Sequence, residues 1–281
     1  MAEKLLVREP RFADGQWYSA SAERLQAEIS AYLREAPQVN IGRPVGLVAP
    51  HAGHFFSGHV AGAAFAQLAP DKFRTVVLLG PDHRGAAPGR VSTPQADTWR
   101  TPLGDIPVDL RLLHTIQDHF ELVFLHRDQE HSLEIELPFL QVALKQFSLV
   151  PLMLGSQTQA TCRRLAEAIV AAIQNRDDVL LVASSDLSHY FDDDTARKLD
   201  QDTLSFVLNM DADGLLAHVD AGRWRGEPLA CGAGPIATVI YAARALGAEK
   251  ATLIKYATSG DVYPAKDSVV GYAAVAFSLP D

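Results

Sequence analysis

Cysteine is almost missing from this chain: Cys162 and Cys231 are the two in 281 residues, and no CxxC pair occurs. That argues against a disulfide framework and fits a reducing, cytoplasmic setting. Positive charge is also short, with 25 Lys and Arg against 34 Asp and Glu, a net charge of −9 and a pI near 5.5. Such a balance argues against a nucleic-acid or anionic-membrane partner. No apolar run approaches the roughly 20 residues of a membrane span. The start of the chain, Met1 to Arg8, lacks the long apolar core of a signal peptide. Low-complexity segments, internal repeats and an obvious linker are missing too. The sequence reads as one domain over residues 1–281.

What is abundant is apolar residue, at 48%. Short runs rich in β-branched residues and leucine recur at Val45–Val48, Thr75–Leu79, Leu149–Leu154, Val179–Val182, Thr252–Tyr256 and Val269–Phe277. Most are continuously apolar, as strands buried on both faces are. Helical stripes lie between several of them: Leu25, Ile29 and Leu33; Val60, Ala64 and Leu68; Leu165, Ile169 and Ile173; Ile236, Val239, Ile240, Ala243 and Leu246. Pro235 suits the first turn of the last stripe and Gly247 its end. Pro138 predicts a kink or two short helices within 131–146. The alternation predicts an α/β fold with a largely parallel central sheet flanked by helices. Val91–Asp109, rich in Pro, Thr and Gly, reads as a long loop or irregular β excursion that walls a pocket. Asp211–Gly226 reads as a helix followed by a polar loop.

Ligands of open parallel sheets bind beyond the carboxyl ends of the strands. The first apolar run delivers His51 there, the second His83, and Val179–Val182 delivers Asp186 and His189. Each has a bland reading beside the functional one. His51 would be a loop histidine bonded to backbone, with His54 as a neighbour behind it and His59 packed or solvated. His83 would sit in a surface turn with Asp82, unless Asp82 orients an imidazole. Asp186 and His189 are three apart, which suits one face of a helical turn, and the carboxylate would then assist a histidine base. Ser184 and Ser185 suit helix capping. His131 fits an acid–base role or a helix start equally. Glu134 and Glu136 read as a solvated or salt-bridged face. Cys231 stands just before a helix start, where unpaired N–H groups should lower its thiol pKa and make it a ligand or nucleophile. Cys162, in line with Leu165 and Ile169, reads as core.

Six motifs then appear in order: APHAG (49–53), LLGPDH (78–83), WRTPLGDIPVD (99–109), EHSLEIELPFL (130–140), SSDLSHY (184–190) and ACGAGP (230–235). Together they resemble the Memo family, whose prokaryotic members are called AmmeMemoRadiSam system protein B. The resemblance runs from about residue 41 to the end. It implies a fold like that of the class III extradiol dioxygenases, which are non-haem iron enzymes that cleave catechols. By that resemblance His51, His83 and Cys231 fall on metal-ligand positions. Asp186 and His189 fall on the remaining pocket positions, with His189 at the place of the dioxygenase base and His131 in a motif beside them.

A cysteine where the dioxygenases carry a carboxylate is the main departure. Thiolate is softer and shifts preference toward copper or zinc. The expectation is therefore a metal-dependent redox or oxygenase-like protein. His51, His83 and Cys231 would bind the metal, and His189, Asp186 and His131 would serve catalysis. Iron is the first choice of metal and copper or zinc the alternatives. The substrate would be a small, catechol-like molecule, and the functional associates the other AmmeMemoRadiSam system proteins. Two other readings use the same pocket: a non-catalytic peptide- or anion-binding module, and a zinc-dependent hydrolase.

Overall fold

A computed structural model describes residues 5–174 and 176–280. The chain runs through β1 (Val7–Arg8), α1 (Ala22–Glu35), β2 (Arg43–Ala49), α2 (His54–Phe65), β3 (Thr75–Pro81), β4 (Val91–Pro94), β5 (Thr98–Thr101) and β6 (Gly104–Pro107). It continues with α3 (Leu110–His119), β7 (Val123–Leu125), α4 (Leu137–Leu144), β8 (Ser148–Leu154), α5 (Gln159–Ile173), β9 (Val179–Ser184) and β10 (His189–Phe191). The last elements are α6 (Asp193–Leu208), α7 (Ala212–Arg225), α8 (Ala233–Ala245), β11 (Lys250–Thr258) and β12 (Val269–Leu279).

The main sheet is mixed and parallel at its centre. Its order is β10-β12-β2-β9-β3-β8-β4-β7, with β11 on β12. Strands β2, β9, β3 and β8 are mutually parallel, and β12 and β4 pair antiparallel at either side. Every residue of β3 and β9 is buried, which is why these runs read as unbroken apolar stretches. Helix α8 lies across β2, β9 and β3, with α5 packed on it. Helix α2 lies across β2, β11 and β12, with α1 and α4 against it. All six strand runs and all four helical stripes are present. Pro138 stands in the first turn of α4, directly after a 3-10 turn at Glu134–Glu136, so the break falls where it was expected. No helix among the described residues is long and apolar enough to cross a membrane.

Two expectations change. Residues 211–226 hold no polar loop: α7 continues to Arg225, and Gly226 ends it at φ 74°. The 91–109 stretch does form irregular β structure, but it does not wall the pocket described below. Its strands β5 and β6 make a small sheet with β1 instead.

That small sheet carries a buried charge network. Arg8 clamps Asp128 through Nε and Nη2, both at 2.8 Å, and reaches Glu134 Oε2 through Nη1 at 2.5 Å. Its Nη2 also donates to the Glu130 carbonyl at 3.0 Å, and the guanidinium lies 4.0 Å from the centre of the Trp99 ring. Glu134 further accepts from Tyr18 Oη and from the amides of Arg11 and Phe12. Glu134 is therefore a buried anchor, not a solvated face.

Candidate metal centre

The parallel register sets Ala49, at the end of β2, beside Ser184, at the end of β9, and β3 ends on the other side of β9. Each strand then releases a polar residue at the same edge of the sheet: His51 after β2, Ser184 and Asp186 with β9, His83 after β3. A fourth segment, 128–133, closes over this edge. Its approach depends on Gly80, where a Cβ would lie 2.6 Å from Ser132 Oγ. Ser132 Oγ instead donates to the Pro81 carbonyl at 3.0 Å. A larger residue at 80 would push His131 away from His83.

His51, His83 and His131 meet there. One ring nitrogen of each lies within 4.8 Å of those of the other two, and they are the group of three or more such donors among the described residues that a single ion could bridge. The rings of His83 and His131 stack with centres 4.8 Å apart, and His51 stands edge-on to both at 5.3 Å.

Glu130 orients the ring of His83 and holds the backbone at His131. Its Oε2 accepts from the His83 amide at 2.6 Å, and its Oε1 lies 3.0 Å from His83 Nδ1. The same oxygen is 3.1 Å from His131 Nδ1, though not aligned for a hydrogen bond, and accepts from the amides of His131 and Ser132 at 2.9 Å. Burial alone would raise this carboxyl. The bond and charge of His83, with the Ser132 amide and His131, outweigh it and hold Glu130 at about 2. It stays ionised, and with His83 Nδ1 on this carboxylate the His83 Nε2 is left for another partner. Asp82, the carboxylate expected in this role, instead holds its own turn by accepting from the amides of Arg84 and Ala87.

Two of the imidazoles, His51 and His131, are kept neutral. Burial, then the neighbouring His131, His83 and His189, pushes His51 well below the ordinary histidine value. Burial lowers His131 to about 4, with Glu130 opposing. Metal binding requires unprotonated nitrogens, which His51 and His131 supply, and the close approach of the three rings suits a transition-metal ion.

The other predicted residues fall in different places. Among the described residues no hydrogen bond joins Asp186 to His189. Residues 185–188 form no helical turn, and Asp186 Oδ1 accepts from the His51 amide at 2.8 Å, so the carboxylate fixes the His51 backbone. Burial pushes it up to about 7. His189 does reach the cavity. The strand pairing shifts between His189 and Phe191, and Tyr190 takes φ 67°. Successive strand residues ordinarily face opposite ways, yet here both His189 and Tyr190 line the cavity. Cys231 Sγ lies 3.3 Å from His51 Nε2, next to the three-histidine group but outside it. Its thiol is not lowered. Burial, then the Asp186 charge, pushes it up, and this outweighs the helix start at Gly232. Cys162 is fully buried, with its thiol pushed up to about 11 by burial.

His54 lies behind the site in the core. It stacks on Tyr18 with centres 5.3 Å apart, and its Nε2 is 3.0 Å from the Ile135 carbonyl. Burial lowers it from 6.5 to about 4. Between those values the unfolded chain takes up a proton that the native ring refuses. Stability from this group is complete above pH 6.5 and falls as pH drops toward 4. His54→Phe is expected to flatten the fall in melting temperature between these pH values, checked by calorimetry; an unchanged slope would assign the fall to other groups.

A cavity of about 740 Å³ opens above the three histidines. Trp17, Phe56, Tyr190 and Tyr263 supply aromatic walls, and among the described residues no Lys, Arg, Asp or Glu lines it. Trp17 sits 4.5 Å from the His131 ring, centre to centre. Residues 16–17 could not be assigned to the site from sequence, because nothing local marks a loop tryptophan as a pocket wall.

A histidine-lined pocket at the carboxyl edge of a parallel sheet defines an α/β protein with a candidate metal centre. The family model described as Memo-like protein matches residues 8–276, so the similarity begins well before residue 41. A MEMO1 family protein of Methanosarcina mazei is 37% identical over 276 residues, covering 96% of this chain and 98% of its own. One from Archaeoglobus fulgidus is 38% identical over 277 residues, covering 97% and 100%. The chain belongs to the Memo family.

Proposed function

We propose that this chain is a metal-dependent redox protein of oxygenase type that acts on a small, uncharged aromatic substrate. The observation that carries the reading is the convergence of three imidazoles beneath an aromatic cavity without charged lining residues. His51, His83 and His131 would hold the ion, with Cys231 beside His51. Three nitrogen donors suit iron, copper or zinc, and iron is proposed first from the fold resemblance. When bound, the ion would supply Lewis-acid and one-electron chemistry.

The chain's own residues do the rest. The rings of Trp17, Phe56 and Tyr263 offer faces and edges for a planar substrate and exclude water from one side of it. His189, which burial lowers below the ordinary histidine value, is available at the cavity wall as a neutral base. Asp186 keeps His51 in place and takes no part in the proton transfer. The uncharged lining favours this reading over the anion-binding one, since no cation there would hold an anion.

The test is anaerobic purification, elemental analysis, and oxygen uptake with a series of catechols. Uptake should require the metal. His189→Ala should keep the metal and lose about 10²–10⁴-fold in turnover. Loss of metal in that variant would move His189 into the ligand set, and no uptake by any metal form of the wild type would end the oxygenase reading.

A further inference from the structure

One buried acid lies outside everything described so far. Glu136 is fully buried, at 0% exposure. Its Oε1 lies 2.9 Å from Ser184 Oγ, and its Oε2 has no hydrogen-bond partner among the described residues. Ser184 Oγ has two more neighbours, the Ser132 carbonyl at 2.6 Å and His51 Nδ1 at 2.8 Å. Counting protons fixes the arrangement. A serine hydroxyl donates once and accepts twice. The Ser132 carbonyl can only accept, and at 2.6 Å it must receive the Ser184 proton or face a bare oxygen. Both remaining neighbours must then donate to Ser184. An ionised Glu136 has nothing to donate, and a His51 protonated on Nε2 has nothing to donate from Nδ1.

We infer that Glu136 is a buried, protonated carboxylic acid that, through Ser184, locks His51 in its Nδ1–H form. Glu136 gives its proton to Ser184, Ser184 gives its own to Ser132, and His51 gives Nδ1–H to Ser184. The His51 Nε2 lone pair then points at Cys231 Sγ and the other two histidines. The lone Glu136 Oε2 becomes a carbonyl oxygen, which is far less costly to bury unpaired than half a carboxylate. Burial and the nearby Asp186 both favour the neutral acid, against the Ser184 bond. Glu136 is thus a positioning residue for His51, and the arrangement exists whether or not a metal is bound.

The experiment uses the full chain freed of metal by a chelator. At neutral pH, the infrared difference spectrum between wild type and Glu136→Gln should show loss of one protonated carboxylic-acid carbonyl band. In nitrogen-15 histidine spectra, His51 should be protonated on Nδ1 in the wild type. Glu136→Gln should leave that signal in place, because its amide N–H₂ also donates to Ser184. Ser184→Ala, which removes the acceptor, should give a mixture of both tautomers. A carboxylate band in place of the acid band, or a His51 proton on Nε2 in the wild type, would overturn the inference. If Glu136→Gln fails to fold, the wild-type nitrogen-15 spectrum and Ser184→Ala still decide it. Neither readout depends on metal content or turnover, so the oxygenase reading can fail without affecting this one.

Discussion

His131→Ala is expected to lower metal affinity by more than about 100-fold, as much as His51→Ala or His83→Ala. Removing a residue that merely supports a ligand typically costs about 10–100-fold, and removing the ligand itself costs more. The three ring nitrogens lie within 4.8 Å of one another, so each alanine leaves a two-donor site. Cys231→Ser should cost less, because its sulfur borders His51 from outside the three-histidine group. His114, exposed on α3, serves as the control. Metal titration of each purified variant reads the ranking. A severe loss in Cys231→Ser together with a mild one in His131→Ala would restore the two-histidine, one-cysteine set that the motifs imply.

Arg8→Ala is expected to be the most destabilising single change in the chain, at about 3–5 kcal/mol. The arginine pairs with Asp128 and Glu134, and all three side chains are nearly inaccessible. Truncation strands two buried carboxylates near each other. Arg8→Lys should recover only part of the loss, since an ammonium cannot clamp Asp128 through two parallel bonds or lie flat on Trp99. Urea denaturation of the three proteins measures the effect. A loss below 1 kcal/mol in Arg8→Ala would mean that water reaches the carboxylates and the network contributes little.

Much of the scaffold was legible because periodicity reports burial, and burial is local. Unbroken apolar runs gave β2, β3, β8 and β9, and with them the sheet edge to which His51 and His83 are delivered. Partner choice is not local. Glu130 reaches His83 from 47 residues away, whereas Asp82, one residue from it, turns elsewhere. Asp186 and His189 have the spacing of a helical turn, but residues 185–188 form no helix, and the carboxylate meets the His51 amide 135 residues away. The raised thiol of Cys231 was hidden for a similar reason. A helix start is visible in sequence, but the depth of the sulfur and the charge of Asp186 are not. The EHSLEIE motif carried more than its family resemblance revealed. Glu130, Glu134 and Glu136 each meet a different distant partner: His83, Arg8 and Ser184.

The Arg8 network also bears on how the pocket breathes. Residues 8–18 form a flap across one side of the site, with Trp17 against His131. A flap held by dispersion alone would open in small, frequent excursions. This one cannot lift without stripping Glu134 of Arg8, Tyr18 and two backbone amides together. Its opening is therefore close to all-or-none and rare, and amides 11 and 12 should exchange with solvent almost as slowly as those of β3. Tyr190 and Tyr263, which also line the cavity, take no part in that network and stand exposed.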